Sequence, residues 1–183
     1  MQRDASGSKL ALGEKAPYFS LRGTDGRIHT ISDYTDKRSL VVVFTCNHCP
    51  YAQAYEQRLI SLANRYQPRG AQFITICAND ANGYPEDDFP HMVEKASSLK
   101  LPFPYLHDES QITARAYDAA CTPEVYVFNE ERSLCYHGAV DNNHKDATQV
   151  TAHYLADALD AVLSGEQPKV PVTSVIGCSI KWK

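Results

Sequence analysis

No apolar run in this chain of 183 residues is long enough to cross a bilayer. The longest, residues 40–44, falls far short of the roughly 20 residues that a spanning helix needs. No basic block stands out among 18 Lys and Arg and 22 Asp and Glu, and the net charge is −4. That argues against nucleic acid and membrane as partners. The first nine residues carry Gln2, Arg3, Asp4 and Ser6 but lack the apolar core of a signal peptide, so the expectation is a soluble, cytoplasmic protein. There is no internal repeat and no low-complexity tract. Only one Cys-x-x-Cys is present, whereas structural zinc ordinarily takes four ligands, often from two such knuckles. No metal and no other cofactor is therefore expected.

What is present is an ordinary globular balance, 43% apolar and 22% charged, in a chain long enough for one well-packed core. The expected organisation is a flexible arm over residues 1–9, a domain over 10–168 and a tail over 169–183 that packs on the domain. Six cysteines, Cys46, Cys49, Cys77, Cys121, Cys135 and Cys178, would suggest a disulfide framework in a small secreted chain. A domain of this size stands without such staples, and four of the six lie in apolar or strand-like contexts. Most are read as reduced thiols, with one pair set aside for chemistry.

Residues 18–21 and 27–31 flank Gly23-Thr24-Asp25-Gly26, a hairpin signal with glycines at the turn. Residues 39–45 are a β-branched apolar run, the signature of a buried central strand. The spacing predicts a helix over 50–66 with Ala54, Leu59, Leu62, Ala63 and Tyr66 on one face, ended by Pro68 and Gly70. A buried strand over 71–78 comes next, then a helix over 88–99 with Phe89, Met92, Val93, Ala96 and Leu99 inward. After an extended piece at 102–106 come a helix over 111–119, a strand pair over 124–128 and 133–139, and a helix over 149–163. This order predicts an α/β fold: a central mixed sheet with helices on both faces and an N-terminal β-hairpin.

Cys46-Asn47-His48-Cys49 lies where the first buried strand runs into the first helix. A thiol at a helix N-terminus meets unpaired N–H groups and the positive end of the dipole, which favour a thiolate. Cys46 is expected as the nucleophile and Cys49, one turn in, as the thiol that resolves the mixed disulfide. An imidazolium at His48 would stabilise the thiolate further and make the pair more oxidising. Pro50 suits the first helical turn. A second feature is Cys121-Thr122-Pro123-Glu124 before the strand at 125–128. A cis bond at Thr122–Pro123 would expose the Thr122 backbone to a substrate, while an ordinary trans turn proline is the bland alternative.

The segments LGEKAPYFSL, VVVFTCNHCPYAQAYE, PFPYLHDES, ACTPEVYVF and IGCSIKWK together make the chain resemble the thioredoxin-like superfamily. Within it, the likeness is to the alkyl hydroperoxide reductase/thiol-specific antioxidant branch and a bacterial peroxiredoxin-like subgroup. The resemblance implies a thioredoxin fold, redox roles for Cys46 and Cys49, and a cis bond before Pro123. Peroxidatic sites of that branch place Pro and Thr or Ser at −7 and −3 from the reactive cysteine. Here those positions hold Val42 and Cys46 counted from Cys49, or Ser39 and Val43 counted from Cys46. The departure favours disulfide exchange over peroxide reduction.

The resulting expectation is a thiol–disulfide oxidoreductase working on protein or small-molecule thiols and disulfides with a separate electron donor or acceptor, as a monomer or weak homodimer. A thiol peroxidase and a non-catalytic redox sensor are the alternatives. Thr122 and Pro123 would shape the substrate groove. Cys121 and Cys178 are candidate extra redox partners, and a disulfide from Cys178 to Cys121 or to the active-site pair is one form this would take. Cys77 and Cys135 read as core. Trp182 is expected to pin the tail by burying its ring.

Overall fold

The computed structural model describes residues 2–3 and 9–183. The remaining positions of the arm expected over 1–9 lie outside the described residues. Strands and helices follow in the order β1 (Gln2–Arg3), β2 (Ser20–Gly23), β3 (Ile28–Thr30), β4 (Ser39–Phe44), α1 (Pro50–Tyr66), β5 (Ala71–Cys77), α2 (Phe89–Leu99), β6 (Tyr105–His107), α3 (Ile112–Ala116), β7 (Cys121–Thr122), β8 (Glu124–Phe128), β9 (Leu134–Gly138), α4 (Tyr154–Leu163), β10 (Val175–Ile176) and β11 (Cys178–Ser179).

Seven strands form the central sheet in the order β3-β2-β6-β5-β4-β8-β9. β4 lies parallel to β5 and antiparallel to β8, and β6 adds parallel to β5. The other pairings, β2 with β3, β2 with β6 and β8 with β9, are antiparallel. β4 is buried at every position because both faces of the sheet are covered, which is why its sequence is apolar throughout residues 40–44. Val41, Val43, Phe73, Val125 and Val127 face α1 and α4. Leu40, Val42, Phe44, Ile74 and Tyr126 face the other way, against Phe19, Tyr34, Ala114 and Tyr117. The fold is thioredoxin-like, a mixed sheet with helices on both faces and an N-terminal hairpin.

The helix over 50–66 has the expected bounds, but its inward stripe is Ala52, Tyr55, Leu59, Ala63 and Tyr66. Stepping back from Leu59 by four and three residues reaches Tyr55 and Ala52; Ala54 falls on the solvent side. In α2 only Met92 is fully buried, and Val93 faces solvent. α3 is shorter than the stretch 111–119, because Gln111 and Asp118 adopt left-handed conformations at its two ends. α4 starts at Tyr154, five residues later than the periodicity suggests. Asn142 Oδ1 holds the backbone N–H groups of Thr151 and Ala152 at 3.0 and 3.2 Å, and Asp146 Oδ1 holds that of Thr148 at 2.8 Å. Asp146 caps a separate 3-10 turn over Ala147–Gln149, and Asn142 holds residues 151–152 in a loop ahead of α4.

The C-terminal segment crosses the domain as a strap. Thr173 N donates to His137 O, β10 pairs with β1, β11 pairs with β7, and Ile180 is buried. Lys181 N donates to Asn79 Oδ1 at 2.9 Å and Lys183 N to Gln111 Oε1 at 2.9 Å. Trp182 is 39% exposed and holds its place differently from the expected burial: the Arg115 guanidinium lies 4.4 Å from its ring centroid. Among the described residues, no helix is long and apolar enough to cross a membrane.

Candidate active site

β4 ends at Phe44, and the chain turns through residues 45–49 before α1 begins at Pro50. The N-cap of α1 is Cys49 rather than Cys46. Proline at the first helical position fixes this boundary, since it has no N–H to offer and its φ suits the helix start. Cys46 therefore precedes the helix by a full turn, and it is Cys49 that stands at the helix N-terminus.

The intervening turn is held by Asp87, a residue that sequence reasoning did not single out. Its fully buried carboxylate accepts from Asn47 N at 2.6 Å, His48 N at 3.3 Å, His48 Nδ1 at 2.6 Å and Asn79 Nδ2 at 2.7 Å. Asn47 is equally committed. It donates to Glu86 O at 2.7 Å, accepts from Tyr105 Oη at 2.9 Å, and its carbonyl takes Gln53 Nε2 at 2.8 Å and Lys95 Nζ at 3.0 Å. The His48 ring stacks on Tyr84 with centroids 5.1 Å apart. Ligand atoms of Cys46, His48 and Asp87 lie within 4.8 Å of one another, so these three could hold a metal ion. An ion there would have to displace donors that already fill the Asp87 oxygens.

The opposite wall is the loop at 120–124, where the Thr122–Pro123 bond is cis. Thr122 touches both sulphurs: Cys46 Sγ lies 3.5 Å from its hydroxyl oxygen, and Cys49 Sγ lies 3.4 Å from its carbonyl oxygen. Glu124 anchors this loop from beneath. Its buried carboxylate accepts from Ala120 N at 2.8 Å, Cys121 N at 3.0 Å, Tyr126 Oη at 3.1 Å and His137 Nε2 at 2.7 Å. Burial pushes the Glu124 carboxyl up, but the His137 bond and charge and the two N–H groups outweigh this and hold it below its ordinary value. Beside Pro123 a cleft of about 360 Å³ opens, lined also by Tyr55, Asp141, His144, Thr173 and Ile176.

Cys46 and Cys49 are 2% and 0% exposed, and their sulphurs share a hydrogen bond. That bond favours a thiol on one and a thiolate on the other. The surroundings decide which. Cys49 is held well below the ordinary thiol range by the bond from Cys46, then by Thr122, Cys178 and the Ala52 N–H. Cys46 is driven up by its bond to Cys49, by burial and by the nearby Asp87 charge. The pairing of His48 with Asp87 means that Cys46 sees a carboxylate along with the imidazole.

Of the two extra candidates, the structure brings one to the site. Cys178 packs against the cluster that contains Cys46 and Cys49. Cys121 clusters instead with Val175 and Val172, its sulphur 3.6 Å from Glu124 Oε2. Neighbouring residues of a strand point to opposite faces, so Thr122 aims at the dithiol and Cys121 away from it. Cys77 is fully buried and burial pushes it up to about 12; Cys135 is 4% exposed.

A family model, the AhpC/TSA family, matches residues 12–137. No curated protein matches the chain in sequence. Among solved structures, an uncharacterized conserved protein from Geobacillus kaustophilus is 40% identical, with a TM-score of 0.92 and 100% of this chain and 97% of that one covered. A hypothetical protein from Sinorhizobium meliloti 1021 is 35% identical at a TM-score of 0.90, with 96% of each chain covered. The thioredoxin domain of a thiol-disulfide oxidoreductase from Bacteroides vulgatus shares the fold at 14% identity and a TM-score of 0.60, over 70% of this chain and 89% of that domain.

Proposed function

The chain belongs to the AhpC/TSA family, and from that premise we propose that it is a thiol–disulfide oxidoreductase whose Cys46–Cys49 dithiol exchanges two electrons with thiols and disulfides. One observation carries the reading: two hydrogen-bonded sulphurs at the head of α1 are both touched by the residue before a cis-proline. The charge distribution favours Cys49 as the attacking sulphur and Cys46 as the one that resolves, the reverse of the order expected from sequence. Cys49 attacks a disulfide, a mixed disulfide forms and one thiolate leaves. Cys46 then attacks Cys49, releases the second thiolate and closes the internal disulfide. His48, oriented by Asp87, is placed to manage the proton that Cys46 gives up. The cleft beside Pro123 offers room for the partner of the exchange. Neither sulphur is exposed, so turnover includes a local opening of the wall over them. The setting that suits reduced thiols is the cytoplasm.

The test is turnover of oxidised glutathione or insulin disulfides by wild type, Cys46→Ser and Cys49→Ser, with a chemical reductant as donor. Turnover should be lost in Cys49→Ser and slowed in Cys46→Ser; wild-type turnover in Cys49→Ser sinks the reading. Alkylation assigns the thiolate. Cys49 should react with iodoacetamide at a rate that stays flat well below pH 8, where a free cysteine of pKa about 8.5 has already slowed.

Peroxide reduction is the second reading, favoured by Cys49 standing at the N-cap with Pro50 behind it. Stopped-flow mixing with hydrogen peroxide separates the two. A rate typical of an ordinary thiolate leaves disulfide exchange as the activity.

A further inference from the structure

The strap supplies more than cover. β11 runs antiparallel along β7, with Cys178 opposite Thr122 and Ser179 opposite Cys121. Thr122 is the residue that touches both sulphurs of the dithiol, so the register delivers Cys178 to the same place. Gly177 makes this possible: a Cβ there would lie 2.2 Å from the Thr122 carbonyl oxygen. A backbone atom cannot yield as a flexible side chain can. Only a residue without a side chain lets the strap lie flat enough for its neighbour to reach the site. The Cys178 side chain then packs against the cluster that holds Cys46, Cys49 and the residues around them. Cys178 is also the one of the three that retains partial exposure.

The geometry points to Cys178 as a third redox cysteine, a second resolving partner for Cys49 alongside Cys46. This rests on the dithiol reading above. In the step, the Cys49 thiolate attacks a small disulfide RSSR; the Cys49–S–S–R bond forms and RS⁻ departs. Cys178 gives its proton to solvent and attacks Cys49 Sγ, forming Cys49–Cys178 and expelling the second RS⁻. The protein loses two electrons and RSSR gains them. The product ties the strap covalently to the head of α1. Cys49 thus stands between two alternative partners, and exchange between Cys46 and Cys178 moves the same disulfide without further oxidant.

The full-length Cys46→Ser protein, treated with oxidised glutathione and mapped by mass spectrometry without reduction, tests this. A Cys49 glutathione adduct that gives way to a Cys49–Cys178 crosslink is expected. In Cys46→Ser/Cys178→Ser the adduct should persist at least tenfold longer. In Cys46→Ser/Gly177→Ala, which keeps both sulphurs but lifts the strap, crosslinking should slow severalfold. An adduct equally long-lived with and without Cys178, or crosslinking undisturbed by Gly177→Ala, overturns the inference. Wild type reports on the underlying reading separately: if it forms a Cys46–Cys49 disulfide while Cys46→Ser forms no crosslink, only the role of Cys178 fails. If wild type forms no internal disulfide at all, the dithiol reading fails with it.

Discussion

Asp87 and Glu124 brace the two walls of the site with the same arrangement. Each is a fully buried carboxylate that accepts from two consecutive backbone N–H groups, Asn47 and His48 in one case, Ala120 and Cys121 in the other. Each also accepts from a histidine ring at 2.6 or 2.7 Å. The histidines differ. His48 has 24% of its side chain exposed, whereas His137 has 2%. A proton on His48 can exchange with water during turnover; one on His137 cannot without opening the core. On the proposed reading the same device serves once in the chemistry and once as scaffold, and solvent access decides which.

Breaking each brace should expose that difference. Glu124→Ala leaves His137 buried without its partner and frees two N–H groups, a loss of about 3–5 kcal/mol of stability. Asp87→Ala should cost less, about 2–3 kcal/mol, because His48 can turn to water. Urea denaturation compares them; equal costs would put both carboxylates in the scaffold. Asp87→Asn keeps the shape of the turn but loses the charge that orients His48, and exchange should slow roughly ten- to a hundredfold. Glu124→Gln should leave the rate near that of wild type in the same assay. A Glu124→Gln rate as low as that of Asp87→Asn breaks the comparison.

Acid sharpens it further. The Glu124 carboxyl sits below its ordinary value of 4.5 in the folded protein. Its contribution to stability is thus complete above about pH 4.5 and is lost as pH falls through the lower folded value. Denaturation at a series of pH values should show a steeper acid limb for wild type than for Glu124→Gln. The smallest effect belongs to Tyr84→Ala. Removing the ring stacked on His48 should slow exchange about two- to fivefold and leave stability nearly unchanged.

The parts of the fold legible in the sequence are those where one local rule acts alone. β4 reads from its β-branched run because both its faces are buried, and α1 reads from Pro50 to Tyr66 because proline starts it and Gly70 follows the turn that ends it. The start of α4 was hidden, since Asn142 and Asp146 hold that backbone through side-chain bonds that periodicity does not register. At the site, the placement of Cys46 and Cys49 between β4 and α1 follows from the motif and its flanks, and the cis bond before Pro123 is the one the family resemblance implies. Asp87 was not legible. It lies 40 residues from Asn47 in a Pro-Glu-Asp-Asp run that looks like a solvated loop, and only the fold turns it inward. Cys121, beside the proline loop, is the candidate the sequence places nearer the dithiol; strand alternation at Thr122 turns it away, and the register of β11 brings Cys178 there instead.

The single tryptophan at position 182 has a spectroscopic consequence. Its indole sits at the end of the strap, under the Arg115 guanidinium and away from the aromatic core of Phe44, Tyr117, Tyr126 and Phe128. Intrinsic fluorescence excited at the indole band therefore reports detachment of the strap, while far-ultraviolet circular dichroism reports the sheet. Two coincident denaturation curves would make the strap part of the cooperative unit. A fluorescence transition at lower denaturant would make it a unit that opens by itself, with a free energy that can be measured directly.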